Sequence, residues 1–185
     1  MYAYSSPFRV FSAEGTRVAR ELLVKLSKFA NQTGRNITLR GIWHVSPFFR
    51  DLVTSDAFLG HMAKVFGEPV WPHFYLSNLC LNVGEVGSVS PAEQWHFDSV
   101  NYVGVMLLSD ITDMEGGQLE ILKRPKHIAT DLLTRDAPIP EQDLLKVSYG
   151  EAGKCIAVQG KFKLFYLIKF ILFFRFTLGP SCHAS

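Results

Sequence analysis

From Tyr102 to Leu108 the chain reads Tyr-Val-Gly-Val-Met-Leu-Leu, seven residues with no charge and no proline. A run of that length is a strand's, and its valines favour an extended backbone. Successive strand residues face opposite sides, so an unbroken apolar run has to be covered on both. A sheet with one wet face is therefore excluded. The stretch calls for a layered molecule with material on either side of a central strand.

The segment just before it carries the chemistry. Gln94-Trp95-His96-Phe97-Asp98-Ser99 leads into that strand through Val100 and Asn101. On an extended backbone His96 and Asp98 share a face while Phe97 takes the other. An imidazole nitrogen and a carboxylate oxygen are two of the three ligands in the two-histidine, one-carboxylate arrangement that holds non-haem Fe(II) with three positions open. Taken alone, the same triplet also describes a surface aspartate beside a half-buried histidine.

With 185 residues, 48% hydrophobic and 19% charged, the chain has the apolar material for one domain with a real core. A net charge of +2, with no Lys/Arg block before the last quarter, argues against a nucleic-acid partner. The cysteines, Cys80, Cys155 and Cys182, are odd in number and lack a Cys-x-x-Cys pair, which suits buried thiols in a reducing compartment. The first residues lack the basic and apolar regions of a secretory signal, and His183-Ala184-Ser185 is not a peroxisomal address. The expected location is cytoplasmic.

Ser12 predicts the cap of a helix running to about Asn31 and stopped at Gly34, with Val18, Leu22, Leu26 and Phe29 as its apolar stripe. Residues 41–50 read as a loop broken by Pro47, with His44 and His61 as lone structural histidines. Ser55 or Asp56 caps a second helix closed by Gly67. A strand is expected over 74–83 and a Gly/Ser/Pro loop over 84–93. Gln118–Leu122 is expected to return as the antiparallel partner of the central strand, after a turn through Gly116 and Gly117. A short helix is predicted over 126–135 and a further strand over 154–160. Helices first and short strands afterwards, with only the short 126–135 helix among them, indicate an α+β chain with a double-sheet β core.

Four motifs in order complete the pattern: Gln94-Trp95-His96-Phe97-Asp98-Ser99, Leu107-Leu108-Ser109-Asp110, Glu115-Gly116-Gly117-Gln118-Leu119-Glu120, and Gly153-Lys154-Cys155-Ile156-Ala157-Val158-Gln159-Gly160. Together they resemble the double-stranded β-helix (jelly-roll) core of the Fe(II)/2-oxoglutarate-dependent dioxygenases, in particular the phytanoyl-CoA dioxygenase-like and prolyl-hydroxylase-like branches. The resemblance covers 74–160. It implies a jelly-roll core over 70–160 preceded by a helical region over 8–67, the two forming one oxygenase-like domain over 1–160. It implies Fe(II) held by His96, Asp98 and a distal histidine, with 2-oxoglutarate as co-substrate and ascorbate as reductant. A basic residue beyond the distal histidine would pair with the far carboxylate of 2-oxoglutarate. The activity implied is oxidation of a small molecule or a side chain, the substrate being unspecified by the sequence. Tyr75, Asn78, Trp95 and Tyr102 are candidates for lining the co-substrate pocket, and equally for ordinary core or edge positions.

After Gly160 the sequence departs from that family's pattern. No histidine falls where the distal ligand is expected, and His183, two residues before Ser185, is the one histidine that follows and the remaining candidate for the third ligand. His127 reads as a surface or helix residue. The remaining 161–185 is an apolar tail that matches no single template. As a membrane segment, 162–178 carries Lys169 in its interior at a cost of about 2.5–3.5 kcal/mol that its many Phe, Leu and Ile residues could offset, a reading left open but not favoured. As a strand it alternates poorly. The expectation is a catalytically incomplete chain with its C-terminal strands, distal histidine and co-substrate arginine missing, as read-through into non-coding sequence would produce.

Overall fold

The computed structural model describes residues 4–33, 36–73, 78–81, 95–97, 100–109, 119–134, 138–160, 163–165 and 171–178. A short strand, β1 (Phe8–Arg9), precedes α1 (Ala13–Leu26). Ser12 caps that helix by accepting from the Gly15 N–H at 3.1 Å. The helix is shorter than its apolar stripe suggests. The Ser27 hydroxyl donates to the Val24 carbonyl at 2.7 Å, a 3-10 turn takes 27–29, and the chain enters β2 (Asn31–Thr33). A serine bonded to its own helix backbone competes with continuation of the helix.

β3 (Asn36–Arg40) pairs antiparallel with β2, and Gly41 leads into α2 (Ile42–Val45) and α3 (Pro47–Thr54). The loop expected over 41–50 is thus largely helical. Pro47 stands in the first turn of α3, where its missing N–H costs nothing and its fixed φ suits a helix, so it starts one rather than breaking the chain. Ser55 then caps α4 (Asp56–Phe66) by accepting from the Phe58 N–H at 3.2 Å, and Gly67 closes it at φ 80°, as the sequence predicts.

The strands follow: β4 (Val70–Pro72), β5 (Asn78–Leu81), β6 (His96–Phe97), β7 (Tyr102–Leu107), β8 (Leu119–Leu122), β9 (Leu144–Val147), β10 (Lys154–Gln159), β11 (Lys163–Phe165) and β12 (Ile171–Leu178), with α5 (Lys126–Thr134) between β8 and β9. Three sheets result, in the orders β1-β10-β7-β12-β4, β6-β11-β8-β9 and β2-β3-β5. Along β7 the side chains divide between two cores. Tyr102 and Met106, with Leu108 just beyond, join Cys155, Ala157 and the helix residues Leu23, Phe49, Met62 and Phe66. Val103, Val105 and Leu107 join Ile156, Val158, Leu119, Ile121 and Val147 between the two larger sheets. The five-stranded sheet is therefore covered by helices on one face and by the four-stranded sheet on the other, as the seven-residue apolar run requires. Burying a side chain of this size contributes about 1.5–3 kcal/mol, which makes β7 and its two cores a main source of stability.

Two expectations are corrected. Gln118–Leu122 does not return beside the central strand: β8 pairs with β9 and β11 in the other sheet. The connection through 108–118 is several times longer than a hairpin turn, so adjacency in sequence does not impose pairing. The C-terminal strands expected to be incomplete are also found. β12 pairs with β7 on one side and β4 on the other, and β11 pairs with β6 and β8. From sequence, the 161–185 segment reads as a tail apart from the core because its charges blur a strand's alternation. A central strand such as β7 exposes a row of backbone donors and acceptors that only another strand satisfies, and β12 does so. No helix among the described residues is long and apolar enough to cross a membrane, and the described part of 162–178 is strand.

Candidate metal centre

β6, which carries His96, is the edge strand of the four-stranded sheet, held by β11. One row of cross-strand partners crosses that sheet: Leu145, Ile121, Leu164, His96. Ile121 is wholly buried between the sheets and Leu145 packs against the same cluster. Cross-strand partners occupy the same face of a sheet. Positions 164 and 96 therefore continue the row that borders the inter-sheet core. The neighbouring row, Leu144, Leu122, Lys163, Phe97, lies on the alternate face.

The five-stranded sheet contributes the opposing rows. Val158, Val103 and Arg175 form one, and Ile156, Val105 and Phe173 the next. Val103 and Val158 are 0% and 1% exposed in the inter-sheet cluster, so Arg175 takes a register position in an otherwise apolar row. The sequence reading missed Arg175. Its signal was a basic residue eleven positions beyond Leu164, but with no histidine at the expected place there was nothing to count from.

Tyr102 is elsewhere. Its ring stacks on Phe66 at 4.1 Å and 28°, and its hydroxyl donates to the Glu68 carboxylate, both on the helix-facing side of β7. Period-two alternation turns it away from the inter-sheet core. Trp95 is half-buried just before β6, and Asn78 opens β5 opposite Arg40. Tyr75, Asp98 and His183 lie outside the described residues. Among the other histidines, His44 is exposed beside Trp43, His61 is exposed against the Phe8 ring at 4.8 Å, and His127 is exposed on α5.

The buried ionisable groups near the core are structural. Tyr149 donates to the Val105 carbonyl at 3.1 Å, tying the segment after β9 to β7 and so one sheet to the other. Burial, with the nearby Cys155, pushes the Tyr149 hydroxyl well above its usual pKa, and burial pushes the Cys155 thiol up as well. Both stay neutral.

Fe(II) in a facial triad takes three protein ligands. Among the described residues no group of three or more His, Cys, Asp or Glu is placed to hold a metal ion. β11, the strand beside His96, offers Lys163, Leu164 and Phe165, none of them an ordinary ligand for such an ion. The described residues do not assemble the full set.

No family model matches the chain, and no curated protein matches it by sequence. Solved structures do match in fold. HygX from Streptomyces hygroscopicus, crystallised with nickel, 2-oxoglutarate and hygromycin B bound, is 16% identical with a TM-score of 0.63, over 97% of this chain and 83% of that one. SnoN, a non-haem α-ketoglutarate-dependent epimerase from nogalamycin biosynthesis, is 13% identical with a TM-score of 0.65, over 98% and 82%. At these identities the likeness establishes a shared fold, and the C-terminal strands β11 and β12 are part of the chain that shares it.

Proposed function

We propose that the chain is an Fe(II)/2-oxoglutarate-dependent dioxygenase-type protein on a jelly-roll core. It would oxidise an unidentified substrate by hydroxylation while 2-oxoglutarate and O2 become succinate and CO2. The observation that carries this reading is the row that brings His96 to the border of the inter-sheet core, in a fold shared with HygX and SnoN. His96, with Asp98 two residues on, would supply the metal donors. Arg175, in the row of Val103 and Val158, would take the far carboxylate of 2-oxoglutarate. Ascorbate as reductant is part of the same reading, as are a phytanoyl-CoA dioxygenase-like or prolyl-hydroxylase-like subtype, a cytoplasmic location and a substrate that is a small molecule or a side chain. Trp95, Asn78 and Tyr75 stay as co-substrate candidates on sequence grounds.

A second reading is favoured by Leu164. A leucine as the cross-strand partner of His96 fits a non-catalytic jelly-roll protein that acts by binding. Anaerobic absorption spectroscopy with excess Fe(II) and 2-oxoglutarate separates the two. A visible charge-transfer band, lost in His96→Ala and weakened in Arg175→Gln, supports the first reading. Folded protein with no band and no 2-oxoglutarate binding would sink it.

A further inference from the structure

The strand register also says how the metal site of this chain differs from a three-donor one, an inference that rests on the reading above. His96 and Leu164 are direct cross-strand partners on adjacent antiparallel strands. Directly opposite residues have their Cβ atoms about 4.5–5.5 Å apart, a separation two imidazoles on one ion can span. Position 164 is thus the place on β11 from which a protein ligand would reach an ion held by His96. Its neighbours do not qualify. Position 163 is the partner of Phe97 and Leu122, in the row on the alternate face. Position 165 pairs with Glu120, whose neighbours in β8, Leu119 and Ile121, are the ones in the inter-sheet cluster.

We infer that Leu164 fills the third-ligand position, leaving His96 as part of a half-site that holds a divalent ion weakly and that one substitution, Leu164→His, would complete. The substitution puts an imidazole at the position directly opposite His96 and leaves every backbone pairing of β11 in place. Phe165→His, one residue on, moves the same group to the other face, because the side-chain period of a strand is two.

The test uses the full chain and Co(II) alone, with binding followed by calorimetry and by the ligand-field absorption of the bound ion. Circular dichroism verifies that each variant is folded. The wild-type chain should bind Co(II) weakly, and Leu164→His should tighten binding about 100-fold or more, since even outer-shell partners change metal affinity 10–100-fold. His96→Ala placed on Leu164→His should abolish the gain, and Phe165→His should show none. Tight binding by the wild-type chain would overturn the inference, and its loss in His183→Ala would identify the ligand that replaces 164. An equal gain in Phe165→His, or none in a folded Leu164→His, would overturn it too. These outcomes are separate from failure of the proposed function. Tight wild-type binding that depends on His96 leaves that function standing, whereas a gain in Leu164→His that survives His96→Ala removes His96 from the site altogether.

Discussion

Replacing Gly153 by alanine tests how the N-terminal region is fastened to the central strand. Gly153 sits at φ +85°, donates its N–H to the Leu107 carbonyl at 2.8 Å, and accepts from the Val10 and Phe11 N–H groups at 2.9 and 3.1 Å. It therefore joins the end of β7 to the entry of α1 through a single backbone unit. A Cβ added there would stand 2.9 Å from the Phe11 carbonyl oxygen and press on the Thr16 hydroxyl, which itself donates to the Ser12 carbonyl at 2.8 Å. The left-handed backbone costs a residue with a Cβ about 1–2 kcal/mol. Overpacking against backbone adds about 1–3 kcal/mol, and restriction of the unfolded chain returns about 0.4–1 kcal/mol. The net loss is about 3 kcal/mol, or roughly 6–12 °C in Tm for a chain of this size. Gly67→Ala is the matched control, because Gly67 has φ +80° but nothing within 4 Å of its added Cβ. It should lose only about 1 kcal/mol, the backbone term less the unfolded-state gain. Urea denaturation followed by far-UV circular dichroism measures both. If Gly153→Ala is destabilised no more than Gly67→Ala, the close approach of 153 to Phe11 and Thr16 is not what requires glycine.

Tyr102→Phe should cost about 1–2 kcal/mol by removing a hydrogen bond to the Glu68 carboxylate, yet leave 2-oxoglutarate binding unchanged. Impaired binding in a folded Tyr102→Phe protein would return that residue to the site. Arg9 and Lys154 hold the Glu151 carboxyl below its usual range through hydrogen bonds. A depressed carboxylate stabilises the fold above its unfolded pKa and ceases to as pH falls through the folded one. The stability gap between wild type and Glu151→Gln should therefore be largest near pH 6 and shrink toward pH 3. A gap that widens on acidification would contradict this sign. Cys155 is wholly buried with its pKa raised, so iodoacetamide should modify it only after denaturant is added, as peptide mass mapping would report. Labelling in native buffer at the rate of a free thiol would refute its burial.

What lay open in the sequence was local. Ser12 and Ser55 mark their helix starts because an N-cap is a bond between residues three apart, and Gly67 marks an end because its left-handed φ is a single-residue property. The run through β7 announced burial on both faces, since alternation along one strand needs no partner to be read. His96 and Asp98 stood out for the same reason. The tertiary structure alone decided what depends on register between distant strands. It set β8 in the sheet opposite β7, brought β12 to the middle of the five-stranded sheet, and turned Tyr102 toward the helices. It also paired Leu164 with His96 and Arg175 with Val103. A one-residue slip in any of these pairings would exchange the two faces of a strand, and nothing in the local sequence of 161–185 sets that register. Pairing with β8 in one sheet and with β7 in the other did so.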